Sequence, residues 1–329
     1  AVRMEYAPDG QFVDAKSFVA VEQEYPAAEY KVKKGAWIEI STPKMILRYK
    51  RNSGAFSASN LSIRSPKNTA APFAWKPGMK QTGNLKGTYR TLDGYDGDTY
   101  IYDENRPKIP LEDGLLATDG WTLIDDSANF LFDGDKEWEW VKERSAKGGQ
   151  DWYFLAYGHD YKSALRDFTL FAGKIPMPPR YAFGYSWSRY CTYSDKELRS
   201  LVNKFRAYDI PLDVLVIDID WHYLEGDRGG WTGWTWNRNL FPDPQKFLAW
   251  FDEEGIRSTF NLHPADGVKC GEDNYAAVAR DMDIDPASKQ TVPWFWSDKK
   301  FITSMFRYIL SPMEKDGVDF WWLDWQESL

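Results

Sequence analysis

Cysteine and histidine are scarce in this chain, with 2 Cys and 3 His among 329 residues. Such scarcity excludes a disulfide framework or a zinc cluster as the organiser of the fold. Cys191 and Cys270 could pair, although two unrelated buried thiols is the preferred reading. The histidines form no i, i+4 pair, so no metal site is expected, and no motif asks for a cofactor. No apolar stretch is long enough to cross a bilayer and none reads as a signal peptide, so membrane insertion is not expected. Runs of Lys or Arg are also missing. With 41 basic against 49 acidic residues the net charge is −8, which makes nucleic acid or an anionic membrane a poor partner. Internal repeats and low-complexity tracts are absent. The chain opens at Ala1 without a Met, which leads us to expect an upstream segment that has been removed.

Aromatic residues are plentiful instead. They make up 17% of the chain and include 17 Trp, within a hydrophobic content of 43% that can fill a substantial core. Flat indole and phenol faces in surplus suit stacking on a ligand, sugars above all, although interdomain packing would use them equally well.

Over roughly the first 175 residues the pattern is strand-like. "AWIEISTPKMILRYK", "TLDGYDGDTYIYDENRP", "GWTLIDDSANFLF" and "DWYFLAYG" are short β-prone runs separated by Asp-Gly and Gly-Gly turns, as in an antiparallel β-sandwich. "DYKSALRDFTLFAG" is a helix by spacing, with Tyr161, Ala164, Leu165 and Phe168 on one face. The proline-rich "KIPMPPR" then reads as a stiff linker, giving a sandwich domain over 1–175 and a second domain over 176–329.

In the second domain strands alternate with helices. "YAFGYSW", "LDVLVIDID", "IRSTFNLH" and "VDFWWLDW" read as four strands. The intervening helices include "SDKELRSLVNKFRAYD", opened by a Ser194–Glu197 capping box, and "PDPQKFLAWFDEEG" with Gly255 as its cap. A third helix, over 297–317, should be disturbed at Pro312. Four strands and three helices make the first half of a (β/α)8 TIM barrel. Functional residues of such a fold gather at the C-terminal strand ends. Here those ends carry Asp218 and Asp220, then His263, then Asp324, beside the Trp-rich "WHYLEGDRGGWTGWTW". An acid that closes an apolar strand costs stability unless it is paired or used. One such acid could cap a helix; two with a histidine favour a carbohydrate site.

"PMPPRYAFGYSWSRY", "IPLDVLVIDIDWH", "WTWNRNLFPDPQKFL" and "GVDFWWLDWQ" occur in the order and spacing of glycoside hydrolase family 31, which the chain resembles over roughly residues 30–329. "EDGLLATDGWTLIDDS" resembles that family's N-terminal sandwich. The resemblance implies a retaining, exo-acting α-glycosidase, α-glucosidase by preference, acting on oligosaccharides. It implies Asp324 as catalytic nucleophile and Asp220 as a ligand of the sugar hydroxyls, with His263, Trp322, Trp221 and Trp187 as further substrate contacts. Trp231, Trp234 and Trp236 join the candidates for the pocket wall, while Asp218 is read as a structural partner. Departures from the family pattern are His263, where many members carry Asp, and Trp325 and Gln326 after the nucleophile.

A retaining mechanism also needs an acid/base carboxyl about 5–5.5 Å from the nucleophile. In the family it lies beyond the fourth strand, so the expectation is a fragment, inactive alone, whose C-terminal half holds that acid. A sugar-binding protein or inactive pseudo-enzyme stays open as the alternative, as does a homo-oligomer. A sugar-polymer substrate slightly favours a periplasmic or secreted setting over the cytoplasm.

Overall fold

The computed structural model describes residues 1–21, 26, 28–87, 111–145 and 147–324. The run "TLDGYDGDTYIYDENRP" and the pair Trp325 and Gln326 lie outside the described residues. Two compact units divide the chain, Ala1–Pro176 and Met177–Leu329.

The first unit is built from antiparallel strands: β1 (Val2–Tyr6), β2 (Lys31–Lys34), β3 (Trp37–Ser41), β4 (Ile46–Lys50), β5 (Leu61–Arg64), β6 (Ala74–Trp75), β7 (Trp121–Asp125), β8 (Leu131–Phe132), β9 (Val141–Lys142) and β10 (Gln150–Ala156). One sheet has the order β1-β10-β7 and a second is the meander β2-β3-β4-β5-β6, with β8 and β9 forming a small hairpin. The inward residues of both large sheets meet in one core: Met4, Trp121, Trp152 and Phe154 from the first, Leu47, Ile63 and Trp75 from the second. That shared core makes the unit an antiparallel sandwich. The helix α1 (Tyr161–Ala172) follows, its first turn capped by Asp160, whose Oδ1 accepts from the Ser163 amide at 3.3 Å. It packs through Tyr161, Ala164, Phe168 and Phe171, whereas Leu165 is exposed. The core-facing stripe therefore runs i, i+3, i+7, i+10, and Leu165 falls beside it.

Within this unit two buried carboxylates are neutralised together. Arg144 donates to Asp126 Oδ2 at 2.7 Å and to Asp151 Oδ2 at 3.0 Å, and Arg3 donates to Asp151 Oδ1 at 2.8 Å. These bonds tie the β1 and β10 strands to the loop after β7. Removing one partner of a buried ion pair strands the other charge. Arg144→Met should therefore destabilise the unit by about 3–5 kcal/mol. Asp14→Ala, at an exposed partner of Arg3, should cost under about 1 kcal/mol. Urea unfolding followed by tryptophan fluorescence checks both, and equal midpoints for the two variants would contradict the account.

In the second unit four parallel strands are ordered β11-β12-β13-β14: β11 (Ser186–Trp187), β12 (Val214–Ile217), β13 (Arg257–Leu262) and β14 (Phe320–Leu323). Between them run α2 (Asp195–Ala207), α3 (Pro244–Glu254), α4 (Tyr275–Asp281), α5 (Lys299–Met305) and α6 (Ser311–Asp316). Both limbs of the capping box of α2 are formed. Asp243 caps α3, with Pro244 at its first position, and Gly255 ends it in the left-handed conformation at φ 70°. Pro312 leaves its mark as expected. A π-helical turn, Phe306–Leu310, carries α5 into α6 immediately ahead of the proline, which lacks an N–H to continue the ladder.

The first strand is shorter than its sequence suggests. Residues Arg180–Phe183 form a 3-10 turn after Pro179, and only Ser186–Trp187 pair. Ahead of them Gly184 lies against the Asp213 carboxyl, which a Cβ there would meet at 2.2 Å. Asp213 Oδ2 in turn accepts from the Tyr185 amide at 3.0 Å, so the chain enters the sheet only beyond that point. Cys191 is exposed and Cys270 half-buried, both as free thiols, so the reading of two buried thiols is corrected at Cys191.

Candidate active site

Strand periodicity decides which side chains can meet at the sheet's C-terminal edge. On β13, Phe260 packs toward Trp321 and Trp236, whereas the alternate residues Thr259, Asn261 and His263 form a polar row on the opposite face. On β14, Trp321 points its indole N–H to Glu314 of α6 at 3.0 Å, which leaves Trp322 and Asp324 on the face shared with Asn261. The parallel register sets Asn261 opposite Trp322 and Leu262 opposite Leu323.

Asp324 extends that register by one step. Its amide donates to Leu262 O at 2.8 Å, and its Oδ2 accepts from Asn261 Nδ2 at 3.2 Å. His263 Nε2 lies 3.7 Å from the same oxygen. The imidazole is only 5% exposed, and its ring meets that of Trp231 edge-on at 5.1 Å. Trp231 is 57% exposed and stacks with Tyr190, 72% exposed, at 6.5 Å and 15°. A carboxylate, a buried imidazole and two open aromatic faces therefore succeed one another outward from the strand ends. Trp322, 38% exposed, borders the carboxylate on its own strand.

Asp220 belongs to a neighbouring part of the same edge. After β12 the chain turns through a 3-10 element, Ile219–Trp221, capped by Asp218, whose Oδ1 accepts from the Ile219 amide at 2.8 Å. This supports the structural reading of Asp218. The turn delivers Asp220 toward the β11 side, where its Oδ2 accepts from Thr192 Oγ1 at 3.0 Å. A small cleft there is lined by Arg189, Cys191, Tyr193, Asp218, Asp220 and Trp221.

Two candidate contacts are corrected by their placement. Trp221 is 0% exposed, packed edge-on against Trp236 and Phe260, with its indole N–H given to Asn261 O at 2.8 Å. It braces β13, whose Asn261 and Leu262 hold Asp324. Trp187 packs against Phe205 of α2 and Tyr193, on the helix side of the sheet. Trp234 and Trp236 are core residues as well, Trp234 donating to Gly267 O at 2.9 Å. Of the five tryptophans considered for a pocket wall, Trp231 alone offers an open face. Asn261, Thr192 and Tyr190 are the residues the sequence did not single out. The polar alternation Thr259-Asn261-His263 inside an otherwise buried strand was the signal for Asn261.

Beneath this edge the loop Trp221–Trp236 is fixed by buried polar groups. His222 is buried against Gly233, where a Cβ would meet its Nδ1 at 2.0 Å, and this nitrogen donates to Tyr223 O at 2.9 Å. Burial pushes the imidazole down to about 4. Glu272 accepts from Thr235 Oγ1 at 2.5 Å, and burial raises its carboxyl against that bond. For His222 the unfolded chain takes up its proton near 6.5 and the folded chain near 4. Stability is therefore fully present above that upper value and falls as pH drops through the window. Histidine-labelled NMR should show the His222 ring neutral at pH 5, assigned by its loss in His222→Gln. A ring half-protonated near pH 6.5 would contradict the burial argument.

Among the described residues no group of three His, Cys, Asp or Glu side chains could hold a metal ion, and no helix is long and apolar enough to cross a membrane.

Antiparallel sheets followed by parallel β/α units, with carboxylates at the strand mouths, define the class: a sandwich preceding the start of a TIM barrel. Residues 175–329 match the model for the glycosyl hydrolases family 31 TIM-barrel domain, and the chain belongs to that family. Among curated relatives it is 38% identical over 125 residues to alpha-glucosidase 2 of Bacillus thermoamyloliquefaciens, covering 38% of this chain and 15% of that one. It is 26% identical over 180 residues to an alpha-xylosidase of Saccharolobus solfataricus, covering 53% and 23%. The chain thus spans under a quarter of the length of these relatives. In fold it is similar to a family 31 dextranase of Flavobacterium johnsoniae complexed with isomaltotriose, with TM-score 0.59 at 19% identity, over 98% of this chain and 43% of that one. A family 31 alpha-xylosidase from a soil metagenome, complexed with xylose, gives TM-score 0.60 at 13% identity over 98% and 53%.

Proposed function

We propose that the full-length protein is a retaining, exo-acting α-glycosidase, α-glucosidase by preference, with Asp324 as its nucleophile. The observation that carries the reading is the placement of Asp324. Its backbone is locked to Leu262, its carboxylate is gripped by Asn261, and His263 and the open face of Trp231 stand beside it. A nucleophilic carboxylate must be fixed in direction, and a donor aimed at one of its oxygens does this. Attack on the anomeric carbon forms a glycosyl ester and releases the aglycone, and water then cleaves the ester. The second carboxyl, which protonates the leaving oxygen and then activates that water, is assigned to strands of the barrel beyond β14. In this reading residues 1–175 are the sandwich and 176–329 the first half of the catalytic barrel. Asp220 and Trp322 hold sugar hydroxyls and a ring face, and oligosaccharide is the partner. The preference for glucose draws on the 38% identity to an alpha-glucosidase.

The alternative, sugar binding without hydrolysis, would use the same Tyr190–Trp231 stack. An aryl α-glucoside assay on full-length protein separates the two. Asp324→Asn should lower kcat by more than about a thousandfold. Equal turnover of variant and parent would overturn the nucleophile, and no turnover by the parent on any α-glycoside would leave binding as the function.

A further inference from the structure

We infer that Asn261 is a positioning residue that sets the direction of the Asp324 carboxylate, an inference that rests on Asp324 being the nucleophile. Carboxylate oxygens accept and do not donate when ionised, so the 3.2 Å contact to Asp324 Oδ2 fixes the amide with its NH2 group toward the acid.

The amide itself cannot wander. Asn261 is 1% exposed and paired across to Trp322, and its backbone carbonyl oxygen accepts from the buried Trp221 indole N–H at 2.8 Å, which holds the residue in place. Such a residue is costly for the fold. Its Oδ1 is buried without a hydrogen-bond partner among the described residues, and an apolar side chain at this place would avoid that cost. The residue is explained by what its other end does. Holding Oδ2 fixes the direction in which the carboxylate points, a matter of orientation that is separate from substrate affinity.

Other titratable groups share these strand ends. His263, on the same strand, lies 3.7 Å from Asp324 Oδ2. Asp218 and Asp220 follow β12, where they are engaged with Ile219 and Thr192. None of them substitutes for a neutral donor that stays in place at every pH.

The test uses full-length protein and an aryl α-glycoside. Asn261→Leu removes the donor at similar volume and should lower kcat about 10- to 100-fold, the range for a hydrogen bond to a charged group, with KM changed by less than about threefold. Asn261→Asp puts a second carboxylate against the first and should move the acid limb of the kcat/KM profile up by about one pH unit or more. Should the leucine variant fail to fold, the aspartate variant carries the test through that limb. Folded variants with kcat within about twofold of the parent and an unmoved acid limb would overturn the role of Asn261. If Asp324→Asn is inactive while the Asn261 variants behave as the parent, this inference alone fails. A fully active Asp324→Asn removes the nucleophile and this inference with it.

Discussion

The parallel pairing of β13 with β14 is the constraint on which the site depends. Side chains alternate with a period of two, so a slip of one residue would turn Trp322 and Asp324 toward the helices and bring Trp321 and Leu323 to the open face. The register is held at both ends. At the start, Asp319 Oδ2 accepts from the Ser258 amide at 2.8 Å, and at the finish the Asp324 amide reaches Leu262 O at the same distance. Between them, Phe260 and Trp321 bury one face against the helices. Apolar packing on one side of the sheet thus fixes where polar groups fall on the other.

The surplus of tryptophan takes on a different meaning in this light. Trp221 and Trp236 close on Phe260 from the loop after β12, and Trp234 reaches the loop after β13 through Gly267 O. All three spend a large apolar face in the core, and Trp221 and Trp234 each give one N–H to a backbone carbonyl, which suits them to tying long loops to a sheet. The tryptophans in this loop therefore build the walls of the site from behind. Its open aromatic surface is the pair Tyr190 and Trp231, one from the loop after each of the first two strands.

Much of this was legible in the sequence because it rests on local signals. The capping box at Ser194, the stop at Gly255, the apolar run Val214–Ile217 and the acid after β14 are written within a few residues of where they act. The misreadings share one physical origin, namely contacts made across the chain. The strand starting at Ser186 begins only past the contact with Asp213, 27 residues on from it by number, and Trp221 is drawn inward by a carbonyl on β13. Leu165 fits a helical stripe as well as Ala164 does, and only the packed partner decides which of them is buried. The role of Asn261 was hidden for the same reason: the alternation Thr259-Asn261-His263 marks a polar face, and what Asn261 does there follows only once the residue opposite is known.

The most direct measurement of the central claim is covalent trapping. Full-length protein treated with a 5-fluoro-α-glucosyl fluoride, digested and mapped by mass spectrometry, should carry one 5-fluoroglucosyl residue, esterified to Asp324 with release of the anomeric fluoride. A label on any other carboxylate, or none under conditions where an aryl α-glucoside is turned over, would contradict the assignment of the strand-end acid as the nucleophile.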